Sequence, residues 1–152
     1  MDSGVSTEMD QGRSEDLSYS DLDAFPQFLN DRALEFASLQ IDHNSITVLP
    51  RCVSLFKNLI SLDISNNSLG YISKELVHLT KLRTFNARNN NLDDDCLPKE
   101  FGTMTSLKVV NLAGNRLTEF PIQLTEITGL QCIYLGANRI TALPKEIGNL
   151  RS

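Results

Sequence analysis

The chain has 152 residues, 41% of them hydrophobic and 22% charged, which is the size and composition of one globular domain. Its formal net charge of −5 argues against a general nucleic-acid binder, because such proteins need a basic surface. No apolar run is long enough to predict a membrane-spanning helix. The three cysteines lie far apart and match neither a disulfide framework nor the spacing of zinc ligands.

The N-terminal residues carry most of the acidity. Residues 1–23 hold seven acidic residues against Arg13, a net charge of −6, whereas the remaining chain has 12 acidic and 13 basic residues, a net charge of +1. Residues 1–15 show no apolar pattern, and we expect them to form a disordered acidic tail.

Residues 16–35 contain a degenerate form of the pattern that the rest of the chain repeats. Ser20 stands where the later copies have asparagine. We predict that this segment caps the fold, as terminal repeats usually do. Ser18 and Ser20 each precede an aspartate by three residues, a context that suits an acidophilic kinase. The residues expected to pack the return of this segment are Phe28, Leu29 and Leu34.

From residue 36 onward the chain repeats the pattern Leu-x-x-Leu-x-Leu-x-x-Asn-x-Leu, with other apolar residues at some leucine positions. The alternating apolar residues at the start of each copy predict a short β-strand. Apolar residues three apart in the second part predict a short helical or 3₁₀ return. The predicted repeats span residues 36–58, 59–81, 82–106, 107–129 and 130–152. Their asparagines, which are 23, 23, 25 and 23 residues apart, are Asn44, Asn67, Asn90, Asn115 and Asn138.

This pattern resembles the leucine-rich repeat. One such repeat cannot bury its apolar face alone, whereas stacked repeats can. We therefore predict an α/β solenoid, a right-handed horseshoe with short parallel strands on its concave face and short helical or 3₁₀ returns on its convex face. The asparagines are expected to form a structural ladder that bonds backbone groups left unpaired at the bend. Because another strand would begin after Ser152, we expect the C-terminal cap to be missing and the chain to be part of a longer repeat protein.

Two features of the sequence are candidates for metal binding or catalysis. The insertion Asp93–Asp95 places three carboxylates together, but it lacks the loop geometry of a calcium site, so a solvated loop is the better prediction. His43 and His78 are expected on different faces, which favours two surface histidines over an acid–base pair. With no glycine-rich phosphate loop and no metal-ligand spacing, we expect the chain not to be an enzyme and to need no cofactor or metal ion.

The concave face is the predicted binding surface. Side chains between the inward leucines point to this face, which changes from acidic and polar to apolar along the stack. Tyr134 is expected beside Asn111, an arrangement typical of an interaction hot spot, with ordinary solvated surface as the alternative. The predicted partner-binding residues, whose three arginines would form a basic rim at the turn ends of the strands, are Asp63, Asn86, Arg88, Val109, Asn111, Arg116, Cys132, Tyr134 and Arg139.

Residues 143–150 read Leu-Pro-Lys-Glu-Ile-Gly-Asn-Leu, which resembles the intracellular, Ras-group class of leucine-rich repeats. Residues 110–115 and 132–138 more narrowly resemble the family of leucine-rich repeat-containing protein 58. That family is similar in fold to cytoplasmic scaffolds. Its members continue with further repeats and a cysteine-rich tail, and they have been linked to substrate recognition for a cullin ubiquitin ligase.

We therefore expect a monomeric, cytoplasmic scaffold or adaptor that binds a partner protein on its concave face, with no nucleic acid and no membrane span. One alternative is a substrate-recognition subunit of a cullin-type ubiquitin ligase, which would need a C-terminal region beyond the 152 residues. The other alternative is a regulator of small-GTPase signalling.

Overall fold

The computed structural model describes residues 12–150 as a row of short strands alternating with 3₁₀ helices. The strands are β1 (Arg13–Asp16), β2 (Phe36–Gln40), β3 (Ser61–Asp63), β4 (Thr84–Asn86), β5 (Val109–Asn111) and β6 (Cys132–Tyr134). The 3₁₀ return helices span Gln27–Glu35, Arg51–Leu55, Lys74–His78, Lys99–Thr103, Ile122–Glu126 and Lys145–Asn149. None of these helices combines the length and apolar character that crossing a membrane requires.

The six strands form one parallel sheet in chain order, β1 to β6. Equivalent positions of the repeats face each other, so that Leu62 pairs with Phe85, Phe85 with Val110, and Val110 with Ile133. Neighbouring parallel strands need a crossover, and the first five 3₁₀ returns supply one for each of the five strand pairs. The predicted solenoid of short parallel strands and 3₁₀ returns is confirmed.

Proline starts most of the returns. Pro50, Pro98, Pro121 and Pro144 each precede a 3₁₀ helix with backbone φ between −66° and −77°. Proline suits this position because its φ is fixed there and it has no N–H to leave unpaired. The return before β4 has Ser73 instead, whose hydroxyl accepts a 3.2 Å hydrogen bond from the N–H of Glu75.

The core lies between the sheet and the returns. In the strands every second side chain points into it, and in the returns every third residue does, as with Val53, Phe56 and Leu59, which are fully buried. The equivalent strand positions of the last described repeat, Ile133 and Leu135, are only partly buried. The opposite face of the sheet, which is turned away from this core, is the predicted concave face.

The first strand corrects the predicted boundary of the N-terminal tail. Residues 13–15 belong to β1 rather than to a disordered segment, and the part of that prediction that concerns residues 1–11 lies outside the described residues. Leucine spacing could not reveal β1, because Glu15 occupies the position that Leu39 fills in β2. The strand is held by the β2 backbone and by a 2.8 Å ion pair between Arg13 and Glu35.

The rest of the first repeat follows the predicted pattern in part. Ser20 lies at the position equivalent to Asn44, and its N–H donates a 3.0 Å hydrogen bond to the Asn44 side chain. Leu29 is buried as expected. The expected packing of Phe28 and Leu34 is wrong, because their side chains are 69% and 63% exposed on the outside of the first return.

The insertion Asp93–Asp95 is more than a solvated loop. The carboxylate of Asp94 accepts hydrogen bonds from the backbone N–H groups of Thr118 (2.8 Å) and Glu119 (3.0 Å) and from the Thr118 hydroxyl. These bonds, chiefly the one from the hydroxyl, lower the pKa of Asp94. Asp94 therefore ties its own repeat to the next one, although it is exposed like Asp93 and Asp95.

Candidate functional site

The five pattern asparagines line the turn end of the sheet and bridge successive repeats. Asn44 is representative: its amide nitrogen donates to the carbonyls of Leu17 (3.0 Å), Ile41 (3.0 Å) and Asp42 (3.1 Å), and its oxygen accepts from Leu22 N–H (2.9 Å). The other four make the same kind of contacts. These side chains are saturated by backbone groups and are therefore structural rather than ligand-binding.

A second set of polar side chains caps the ends of the strands. Asp63 accepts a 2.9 Å hydrogen bond from the N–H two residues later, and Asn86 and Asn111 accept equivalent bonds of 3.1 Å and 3.0 Å. Asp16 does the same in β1, with a 3.0 Å bond. An Asx side chain that bonds the backbone two residues onward stabilises a turn. Three of the predicted partner-binding residues thus have a local structural role that the sequence pattern did not reveal.

Tyr134 breaks this capping series. It occupies in β6 the position of Asn111 in β5, and the two residues are paired across the strands. A phenol on this position cannot bond the backbone two residues onward as an Asx side chain does, and the Tyr134 side chain is 50% exposed. A hydrogen bond with the neighbouring Cys132 thiol raises the pKa of Tyr134. Gln40 in β2 is the other described strand residue at this position that is not an Asx residue.

Several side chains next to Tyr134 are small and apolar. Val109 and Cys132 are paired on β5 and β6, as the sequence predicted, and both are half-buried. Two residues beyond Asn111 and Tyr134, on the same face, are Ala113 and Gly136, which have a methyl group and no side chain, respectively. We call the surface formed by Val109, Cys132, Tyr134, Ala113 and Gly136 the Tyr134 patch. A partner can approach the backbone closely here, and the aromatic ring offers a large, rigid contact area.

The predicted basic rim needs correction. Arg116 and Arg139 each follow a ladder asparagine and occupy equivalent positions one repeat apart, and both are exposed. Arg88 instead precedes the ladder asparagine by two residues, at the position of Ala113 in the next repeat, so it lies on the concave face itself. The spacing along the chain already contains this difference, because Arg88 and Arg116 are 28 residues apart whereas the ladder asparagines of the same two repeats are 25 apart.

Sequence reasoning missed two further basic residues of the concave face. Arg83 and Lys108 directly precede β4 and β5, and their N–H groups and carbonyls pair with neighbouring repeats. Arg83 and Lys108 each lie one residue before a strand, and β4 and β5 are paired in register, so the two residues occupy equivalent positions. This equivalence can be recognised only once the strand register is known. They lie at the opposite end of the strands from Arg116 and Arg139.

A column of left-handed residues runs along the turn end of the strands. Its members have φ between 54° and 69° and are Tyr19, His43, Asn66, Asn89, Gly114 and Ala137. The side chain of Asn89 donates a 3.1 Å hydrogen bond to Asn66, and its oxygen occupies the space that a Cβ on Gly114 would need. At the N-terminal end of the column Tyr19 stacks on His43, with ring centroids 4.2 Å apart.

The remaining titratable groups show no catalytic arrangement in residues 12–150. His43 is bonded to the carboxylate of Asp42 (2.7 Å), whereas His78 lies 4.0 Å from Glu75 on a return. Burial raises the pKa of the Cys96 thiol to about 12, which makes it unreactive. No group of three or more potential metal-binding side chains comes together within this part of the chain.

Comparison with known proteins agrees with this geometry. A family model described as leucine rich repeat matches residues 36–92. The fold is a leucine-rich repeat solenoid. The leucine-rich repeat ectodomain of the Arabidopsis receptor kinase HAESA, solved with a peptide hormone ligand, is similar to it with a TM-score of 0.75 and 36% identity, over 89% of this chain and 24% of that one.

The narrower resemblance is also confirmed. Leucine-rich repeat-containing protein 58 is 48% identical over 89 residues in Xenopus tropicalis and 41% identical over 94 residues in Homo sapiens, in each case over 59% of this chain. The chain spans about a quarter of the length of these relatives, since the matches cover 25% of each. The activity and partners of the whole relatives therefore do not transfer directly to this leucine-rich repeat solenoid.

Proposed function

We propose that this chain is a non-catalytic scaffold or adaptor that acts in the cytoplasm and binds a partner protein through the concave face around Tyr134. Leucine-rich repeat domains are generally protein-interaction modules, and solenoids bind partners on extended concave surfaces. The similar HAESA ectodomain was solved with a peptide hormone, which supports a polypeptide as the occupant of such a surface.

The single observation that supports this site is the replacement of a capping residue by Tyr134. At this position Asp16, Asp63, Asn86 and Asn111 bond their own backbone, and Tyr134 gives up that bond while exposing half of its side chain. This large aromatic side chain lies next to small residues and is half-exposed, so much of its surface is available to a partner rather than packed in the core. Such aromatic residues dominate the free energy of binding at protein interfaces.

The test compares two tyrosines of equal exposure on different surfaces. Tyr71 is 51% exposed and lies outside the sheet, just before the return Lys74–His78, so Tyr71→Ala is a matched control for Tyr134→Ala. Partners are isolated by photo-cross-linking from a benzoylphenylalanine placed next to Tyr134 and identified by mass spectrometry. The affinity of each purified partner for the two variants is then measured.

We expect Tyr134→Ala to weaken binding about 30-fold, the effect of losing a hot-spot residue of about 2 kcal/mol, and Tyr71→Ala to leave it unchanged. Equal effects of the two substitutions, or none, would contradict a binding site at the Tyr134 patch. A ubiquitin-ligase component or a small GTPase among the purified partners would select between the two narrower roles.

A further inference from the structure

The concave face is divided into two halves of opposite charge. In each repeat the concave face and its two edges are formed by a nine-residue segment, from seven residues before the ladder position to one after it, whose alternate strand side chains point into the core. In the first three repeats, residues 13–21, 37–45 and 60–68, these segments hold five acidic residues and one basic residue, and four of the acidic residues lie outside the core-facing positions, since Glu15 takes the place of Leu39. In the last three, residues 83–91, 108–116 and 131–139, they hold five basic residues and no acidic one. The basic residues are Arg83, Arg88, Lys108, Arg116 and Arg139.

Within residues 12–150 the five basic side chains of the last three repeats form no ion pair. The ion pairs among residues 12–150 join Arg13 and Arg32 to Glu35, and His43 and His78 to their neighbouring carboxylates. None involves the basic residues of the last three repeats. Four of these are exposed, and Lys108 is half-buried. Charges of one sign with no internal partner favour an external partner of the opposite sign.

Three of the basic residues flank the Tyr134 patch. Lys108 directly precedes Val109 at the start of β5, whereas Arg116 and Arg139 follow the turns at the other end of the strands. The backbones of these two arginines are fixed by N–H bonds to Leu92 (2.7 Å) and Leu117 (2.8 Å) of the preceding repeats. The result is an apolar centre with cationic groups at both ends of the strands.

We propose that the C-terminal half of the concave face binds an acidic protein segment that carries an aromatic or aliphatic anchor. This inference rests on the proposed function and specifies the chemistry of the partner. The anchor packs on the Tyr134 patch, and carboxylates on either side of it pair with Lys108, Arg116 and Arg139. The acidic N-terminal half, with Asp42 and Asp63, repels the same segment and so fixes where on the face it lies.

A polypeptide fits this surface better than a nucleic acid. A nucleic acid carries a phosphate on every nucleotide, so a strand that follows the face would meet the carboxylates of the first three repeats. A protein segment can restrict its negative charge to the length of three repeats and place an apolar side chain between its carboxylates.

The test is a titration of the complete ¹⁵N-labelled chain with synthetic peptides, followed by two-dimensional NMR. The probes are a peptide of alternating glutamate and phenylalanine, its lysine–phenylalanine and glutamate–alanine counterparts, and an oligothymidylate of equal length. We expect the glutamate–phenylalanine peptide to shift the amide signals of Gly114 and Gly136 in a saturable and salt-sensitive manner. The lysine–phenylalanine peptide should instead shift those of Asp42 and His43, and the glutamate–alanine peptide should bind more weakly.

Charge reversal provides the second arm. The double variant Arg116→Glu/Arg139→Glu should weaken binding of the glutamate–phenylalanine peptide about tenfold, the combined effect of two exposed ion pairs. The double variant Lys74→Glu/Lys99→Glu makes the same change in charge on exposed positions of the returns and should have no effect. Circular dichroism verifies that both variants fold.

Three results would overturn the inference: no saturable shift of Gly114 and Gly136 by the acidic peptide, equal effects of the two double variants, or tighter binding of oligothymidylate to the same residues. The proposed function fails on a different observation, namely the loss of selectivity between Tyr134→Ala and Tyr71→Ala for a cross-linked partner. A partner that depends on Tyr134 but is insensitive to Arg116→Glu/Arg139→Glu would preserve the proposed function and refute the acidic segment.

Discussion

Removal of one ladder asparagine should show how much of the stability of the solenoid comes from the turns. Asn115 is 8% exposed and connects the fourth and fifth repeats. Its oxygen accepts hydrogen bonds from the N–H groups of Asn90 (3.1 Å) and Leu92 (3.0 Å). Its amide nitrogen donates to the carbonyls of Ala87 (3.2 Å) and Leu112 (3.0 Å), and also to the next turn carbonyl.

The substitution Asn115→Ala leaves two backbone N–H groups without an acceptor in a place that water reaches poorly. A buried unsatisfied donor costs about 1–3 kcal/mol, so we expect the free energy of unfolding to fall by about 3–4 kcal/mol. Asn138→Ala is the matched control. Asn138 accepts from Leu117 N–H (2.9 Å), but it is half-exposed, and water can replace part of what the side chain supplied. Its loss should be about 1–2 kcal/mol.

Urea denaturation followed by far-ultraviolet circular dichroism measures both values, since the chain has no tryptophan for fluorescence. The comparison is valid where the dependence of the free energy on urea, the m value, is the same for both variants. A loss below about 1 kcal/mol for Asn115→Ala, or a loss no larger than that of Asn138→Ala, would refute the view that the buried ladder satisfies groups that water cannot reach.

Two further predictions concern single positions. Asp94→Ala should destabilise the fold by about 1 kcal/mol at pH 7, because it removes the acceptor that ties two repeats together. Since hydrogen bonds lower the pKa of folded Asp94, its contribution is complete above the unfolded pKa of about 3.9 and is lost as pH falls through the lower folded value. Urea midpoints at successively lower pH should therefore converge for the two proteins, and a constant gap would contradict this. Gly114→Ala should cost about 1–2 kcal/mol, because φ is +69° and an added Cβ would overlap the Asn89 side-chain oxygen, whereas Gly136→Ala meets no atom within 4 Å and should be neutral in the same assay.

The sequence predicts the repeated part of the fold because one physical requirement recurs at a fixed spacing. Apolar residues that alternate in a strand and recur every third residue in a return must face one core, and the pattern asparagine marks the bend between them. The same logic fails for β1. That strand is stabilised by pairing with β2 and by the ion pair of Arg13 with Glu35. Neither interaction produces a pattern of apolar residues that recurs in the sequence.

The candidate site was predictable in position but not in role. Asp63, Asn86 and Asn111 were correctly placed on the concave face, yet their oxygens bond the backbone two residues onward. The alternation of apolar and polar residues in a strand predicts on which face of the sheet a side chain lies. It does not predict whether that side chain accepts a hydrogen bond from its own backbone. The sequence pattern also did not predict the difference in charge between the two halves of the face. Two of the basic residues, Arg83 and Lys108, precede their strands, and their place beside the face follows only from the strand register.

The sixth repeat departs from the pattern of its neighbours in more than Tyr134, which supports the binding role proposed for this residue. Besides losing the Asx cap, this repeat has Ala137 at a left-handed position with φ of +56°, which costs about 1–2 kcal/mol for a residue other than glycine. His43 is strained in the same way in the second repeat, but there Asp42 and the ring of Tyr19 contact it. Within the described residues no comparable contact to Ala137 occurs, and Tyr134 bonds the Cys132 thiol in place of the backbone two residues onward. A local departure from a pattern that the neighbouring repeats obey is expected at a functional surface.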